Sequence, residues 1–247
     1  MLINCRRALV SAMAGVAGVV GAQLGPGDVA IVAVNTDDDS FAWVALRDVP
    51  AGSTLHFTDS SVSNGLFRWS EHLGDVVSHG PLDWTSPADL PAGTVVRWNR
   101  ASREWSVGVA AGAALTLSTD GDQVIVYTGA IVNNTALAAP WTGDPTGAVM
   151  LAAANIANKG WDNLTGGTTE TSFVPPGLST SGGTAVHLGS QDDAYYSGPC
   201  RGTPVQLRAW MADISEWKTS NDAFAVTNWP AAFDVLPTTQ GTFYSIR

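Results

Sequence analysis

Short β-forming runs, each closed by glycine, proline, serine or aspartate, recur from residue 29 almost to the C-terminus. That spacing constrains the fold more than any other feature. Val29–Val34 and Phe41–Leu46 are apolar on both faces, as in central strands covered on two sides. Thr54–Thr58 alternates instead, with Leu55 and Phe57 on one face and Thr54, His56 and Thr58 on the other. Val95–Trp98, Trp105–Val109, Ala114–Leu117, Val124–Tyr127, Ala185–Leu188 and Thr242–Ile246 read as further strands. Asp120-Gly121, between two apolar runs, has the chemistry of a type I′ hairpin turn. The expected fold is mainly β: an antiparallel β-sandwich with one or two short helices.

One helix is expected from Pro204 to Trp217. Thr203 and Gln206 form a capping box, and Pro204 suits the first turn. Leu207, Trp210, Met211, Ile214 and Trp217 then make one apolar stripe. Ala148–Ala157 fits a strand or a helix, and residues 130–182 are expected to be the most irregular region. There is also an internal echo. Asp48-Val-Pro-Ala-Gly-Ser-Thr-Leu-His-Phe57 recurs as Asp89-Leu-Pro-Ala-Gly-Thr-Val-Val-Arg-Trp98, and each copy reads as a tight turn launching a strand. Two equivalent corners of one sandwich explain the echo more simply than a duplication, because nothing else repeats.

Residues 1–22 carry the marks of a signal peptide: Arg6 and Arg7, then an uncharged Ala/Val/Gly run, then small residues before Gln23. At roughly 14 residues the apolar run is shorter than the ~20 a membrane-spanning helix needs. Residues 23–247 are then expected to be a single secreted or cell-surface β-sandwich domain with no integral membrane segment. Without Arg6 and Arg7, ten basic side chains remain against 22 acidic ones. That balance excludes the basic stripe a nucleic-acid binder needs and favours cations as partners. Cys200 is the one cysteine outside the leader, so an intramolecular disulfide and a thiolate zinc site are both excluded, and an idle thiol is expected.

Several blocks resemble an uncharacterised β domain of exported bacterial and algal proteins. They are Gly27-Asp-Val-Ala-Ile-Val-Ala-Val-Asn-Thr-Asp37, Phe41-Ala-Trp-Val-Ala-Leu46, Pro50-Ala-Gly-Ser-Thr-Leu-His-Phe-Thr-Asp59 and Leu117-Ser-Thr-Asp-Gly-Asp-Gln-Val-Ile-Val-Tyr127. Asp83-Trp-Thr-Ser-Pro87, Trp161 with Pro176-Gly-Leu178, and Asp192-Asp-Ala-Tyr195 are similar to it as well. The resemblance spans roughly residues 27–222. It implies a surface or extracellular β-sandwich, loosely like lamin-tail domains, and implies no catalytic residues. Where that domain follows Phe-Thr-Asp with Asn-Gly-Trp, this chain has Ser60-Ser-Val-Ser-Asn-Gly65.

Motifs for catalysis are sparse. There is no Gly-x-Ser-x-Gly elbow, His-Glu-x-x-His helix or phosphate loop. Gly25-Pro-Gly27-Asp-Val-Ala30 matches a dinucleotide fingerprint only on paper, since it precedes a strand and opens no helix. His72 and His79 share a polar stretch with Glu71 and Asp75, which reads as a solvated loop before it reads as a metal site; His56 and His187 belong on sheet faces. Eighteen aspartates make accidental carboxylate pairs easy, so a glycosidase pair is not specified. Ten tryptophans are more informative, because indole faces stack on sugar rings as well as on one another. Trp98, Trp105 and Trp141 are the candidates for an exposed glycan platform, with packing between sheets as the competing reading. Asp37, Asp39 and Asp59 are the candidate calcium ligands, as closely spaced hard oxygens in loops; a solvated acidic turn is the competing reading. Asn133 and Asn163 head sequons. The expected function is that of a non-catalytic module for attachment through glycan or extracellular matrix, and the alternative is an extracellular hydrolase acting on polysaccharide or another polymer.

Overall fold

The computed structural model describes residues 23–72, 81–156, 160–161 and 171–238. The leader 1–22, the strand expected at 242–246, Asp75, His79 and the Asn163 sequon lie outside them. In chain order the first eight strands are β1 (Val29–Asn35), β2 (Ser40–Ala45), β3 (Thr54–Thr58), β4 (Val62–Ser63), β5 (Leu66–Phe67), β6 (Leu82–Thr85), β7 (Val95–Asn99) and β8 (Glu104–Trp105). The rest are β9 (Val109–Gly112), β10 (Asp122–Asn133), β11 (Gly143–Ile156), β12 (Ala185–His187), β13 (Asp193–Tyr196), β14 (Arg201–Gly202), β15 (Trp217–Ser220) and β16 (Asp234–Val235). Two short helices accompany them, α1 (Trp69–His72) and α2 (Pro204–Met211).

Two sheets make the sandwich. One runs β15-β13-β1-β2-β7-β8; the other runs β4-β5-β11-β10-β3-β6-β9, with β12 also on β11. Pairing is antiparallel except for β11–β12 and the small β14–β16 pair. Phe41 and Trp43, on the inner face of β2, meet Phe57 and Trp84 of the opposite sheet; the Trp43–Trp84 centroids are 4.8 Å apart, edge to face. A second apolar cluster covers the outer face of the larger sheet. Ile125 and Tyr127 of β10 join Val62, Phe67 and Met150 there, while Val124 and Val126 point into the sandwich. Strand β10 is therefore apolar on both sides, as its unbroken Val-Ile-Val-Tyr run requires.

The repeated sequence forms two corners that are hydrogen-bonded to each other. Strand β2 crosses to β3 through Asp48–Ser53, and β6 crosses to β7 through Asp89–Thr94, so the two crossings between sheets run in opposite directions. Val49 and Leu90 exchange backbone N–H···O bonds, both 2.8 Å. The Asp89 carboxylate accepts from the Ala51 N–H at 2.9 Å, and that of Asp48 accepts from the Ala92 N–H at 2.9 Å. Each turn thus supplies the acceptor that the other needs, which is why the same sequence serves both places.

Three expectations are corrected. The helix ends at Met211, because Asp213 caps a new 3-10 turn over Ile214–Glu216 by accepting from the Ser215 N–H, and Trp217 then enters β15. The capping box forms as expected, but the long stripe does not: Leu207, Met211 and Trp217 are buried and Ile214 is exposed. The expected strand Trp105–Val109 is split between sheets. The chain crosses at Gly108, where a Cβ would collide with the Trp84 indole, and Trp84 Nε1 donates to the Val107 carbonyl at 2.6 Å. Part of the irregular region is in fact regular, since Asp122–Asn133 and Gly143–Ile156 pair as one long hairpin. Its second strand settles the 148–157 ambiguity as β through residue 156.

Candidate functional site

The loops after β1, β3, β7 and β15 and those before β10 and β13 gather at one end of the sandwich. Nine of the eighteen aspartates lie there: residues 37, 38, 39, 59, 120, 122, 192, 193 and 222. They do two different kinds of work.

One group organises backbone. Residues 113–118 run outside any strand, and three carboxylates from three loops take their consecutive N–H groups. Asp59 accepts from Thr116 at 3.0 Å, Asp39 from Leu117 at 2.6 Å, and Asp122 from Ser118 at 2.9 Å. The Ala114–Leu117 strand and the Asp120-Gly121 hairpin expected from sequence are absent for this reason: the donors a neighbouring strand would use go to side chains. The Gln123 side chain ties the same knot, donating to the Asp59 carbonyl and, at 2.9 Å, to the Asp122 carboxylate. Asp39 sits at φ +57° and also meets Arg100 at 3.6 Å. Burial nevertheless holds its carboxyl above the usual range.

The other group is short of donors. Asp193 is fully buried; its Oδ1 accepts from the Thr36 N–H at 2.8 Å, but its Oδ2 meets no donor among the described residues. The exposed Asp37 carboxylate lies within hydrogen-bonding reach of it. Burial first, and then the charges of Asp37 and Asp192, push the Asp193 carboxyl up to about 7. The Asp192 carboxyl is raised by burial and then by Asp37 and Asp222. Asn35 stands opposite Asp193 in register, and its buried Oδ1 also meets no donor among the described residues. Beside this group is a cleft of about 360 Å³, lined by the polar residues Thr119, Asp120, Ser190, Gln191, Asp192 and Asn221.

The structure therefore separates the three aspartates expected to bind calcium. Asp39 and Asp59 serve the 116–118 knot, while Asp37 faces Asp193. Among the described residues, no three Asp, Glu, His or Cys side chains gather closely enough to hold a metal. The tryptophan platform is corrected too. Trp98 and Trp105 are 2% and 7% exposed and pack on each other with centroids 5.1 Å apart, because it is Arg97 that faces outward on β7. Trp141, half-buried, lies in the β10–β11 turn at the other end of that hairpin from Asp122 and Asp120. Asp193 and Asn35 were missed in the sequence, where both look like ordinary strand-end residues. The only signal was the Asp192-Asp193 doublet.

A separate pair sits on the outer face of the larger sheet, where His56 Nδ1 is 2.6 Å from Asp83 Oδ1 and the His56 ring packs 5.1 Å from that of Tyr127. Burial raises the Tyr127 hydroxyl well above its ordinary range, so it stays protonated. Cys200 is half-buried, and burial raises its thiol as well. No helix among the described residues is long and apolar enough to cross a membrane. Comparison with family models, with curated proteins and with solved structures finds no match to this chain.

Proposed function

We propose that this chain is a secreted or cell-surface β-sandwich module that acts by binding, in attachment to glycan or extracellular matrix, through the acidic end of the sandwich. The observation that carries the reading is the polar cleft beside Asp192. Its hydroxyls, amides and carboxylates offer both donors and acceptors, which is what the hydroxyl groups of a sugar require. At about 360 Å³ it lies at the small end of the range for ligand sites. Loops carried on a rigid sandwich are a common place for recognition, and the resemblance to exported β domains points the same way. With Trp98 and Trp105 in the core, recognition here depends on hydrogen bonding and leaves stacking on those indoles out.

The test is a glycan array probed with the full chain and with Asp192→Asn/Asn221→Ala. Retention of a defined glycan by the wild type, reduced at least tenfold in the variant, supports the reading; equal retention by both removes the cleft from it. One observation favours the alternative of an extracellular hydrolase, namely the His56–Asp83 pair. A carboxylate that orients one imidazole nitrogen leaves the other to act as a base. Turnover of chromogenic glycosides or esters that is lost in His56→Ala would replace the binding reading with that one.

A further inference from the structure

The acidic end holds a contact that its own atoms do not complete. Asp193 is fully buried, its Oδ2 meets no donor among the described residues, and the Asp37 carboxylate lies within reach of the same side chain. Directly across the strand pair, the buried Asn35 Oδ1 also meets no donor among the described residues. The charged side chains that act on Asp193 are Asp37 and Asp192, and Asp222 acts on Asp192, so among the described residues no basic neighbour offsets the buried charge. Arg100 is engaged with Asp39, and Lys218, on β15, is exposed and two residues from Ser220, the register partner of Asp193. Two neighbouring carboxylates, one buried and one exposed, with a buried amide oxygen across the strand pair have the chemistry of a site for a hard divalent ion.

We propose that Asp37 and Asp193, with the Asn35 amide oxygen, bind a calcium ion at the acidic end of the sandwich, with water completing its shell. The ion would join the β1–β2 loop to the start of β13, two segments that the chain otherwise links there through Thr36, whose N–H and hydroxyl donate to the Asp193 carboxylate and the Asp192 carbonyl. These ligands differ from the Asp37, Asp39 and Asp59 set that the sequence suggests. The site stands whether or not the neighbouring cleft binds glycan.

Thermal unfolding of the full chain in EDTA and in millimolar calcium chloride tests this, because an ion that binds only the native state raises Tm by mass action. At pH 8 calcium should raise Tm by several degrees. Asp37→Asn, at an exposed position, and Asp193→Asn should each abolish the pH 8 rise, whereas Asp39→Asn should retain it. A rise of equal size in wild type and Asp37→Asn would overturn the site. So would a rise lost in Asp39→Asn but kept in Asp193→Asn, which would return the ion to the 37–39 loop. The absence of any rise at pH 8 would also overturn it. Should Asp193→Asn fail to fold, Asp37→Asn decides alone.

Discussion

Aspartate does one kind of work at the corner end of the sandwich and two kinds at the acidic end. At the corner end, Asp48 and Asp89 are carboxylates with a waiting donor, each closing the other's turn. At the acidic end Asp39, Asp59 and Asp122 also meet backbone donors, but Asp37, Asp192 and Asp193 stand against one another, and the most buried of them has an oxygen with no donor among the described residues. A carboxylate matched to an N–H adds stability without chemistry; one held against its like is costly unless a proton or cation intervenes. Even the corners are not equal. Phe233 folds over Gly93 and donates its N–H to the Gly93 carbonyl at 2.9 Å, whereas nothing lies within 4 Å of a Cβ built on Gly52. The C-terminal segment thus seals one of two otherwise matching turns.

The largest effect should come from that seal. Gly93→Ala would place a Cβ 2.0 Å from the Phe233 carbonyl oxygen at φ +87° and should cost about 3 kcal/mol or more in urea unfolding. Gly52→Ala, at φ +77° in open space, should cost about 1 kcal/mol. Equal losses would mean that the corners are equivalent after all.

Next in size is Asp193→Asn, which removes the buried charge. In EDTA at pH 8 it should stabilise the chain by on the order of 2 kcal/mol. The sign follows from the raised carboxyl. The native state keeps its proton up to about pH 7 while the unfolded chain releases it near 4, so wild-type stability falls as pH climbs between those values. The variant should lose this slope. A slope unchanged in Asp193→Asn would place the titrating group elsewhere.

Smaller still are Asp48→Ala and Asp89→Ala. Each removes one exposed carboxylate acceptor and should cost about 1 kcal/mol. Because the turns are reciprocal, the double variant should cost less than the sum of the two. Strict additivity in a double-mutant cycle would show the turns to be independent.

Much of the scaffold was legible from sequence because it rests on local pattern. The two-sided apolar runs of β1, β2 and β10, the Thr203–Gln206 capping box and the paired Pro-Ala-Gly turns are properties of neighbouring residues and follow from periodicity and turn chemistry. Leu117 shows where that logic stops. Its segment has the apolar content of a strand, yet its N–H is taken by a carboxylate 78 residues away.

The same limit governs the candidate site. Composition and local pattern were enough to identify an acidic β-sandwich with aspartates at its turns, but not to say whether Trp98 and Trp105 face inward. They could not assign those aspartates, since the triplet at 37–39 is split so that Asp39 binds backbone and Asp37 confronts Asp193, 156 positions on. Which carboxylate meets a donor and which is buried beside another acid follows from the packing of the two sheets. A carboxylate's energy depends on the groups brought within a few ångströms of it in space, and chain pairing, not sequence proximity, selects those groups.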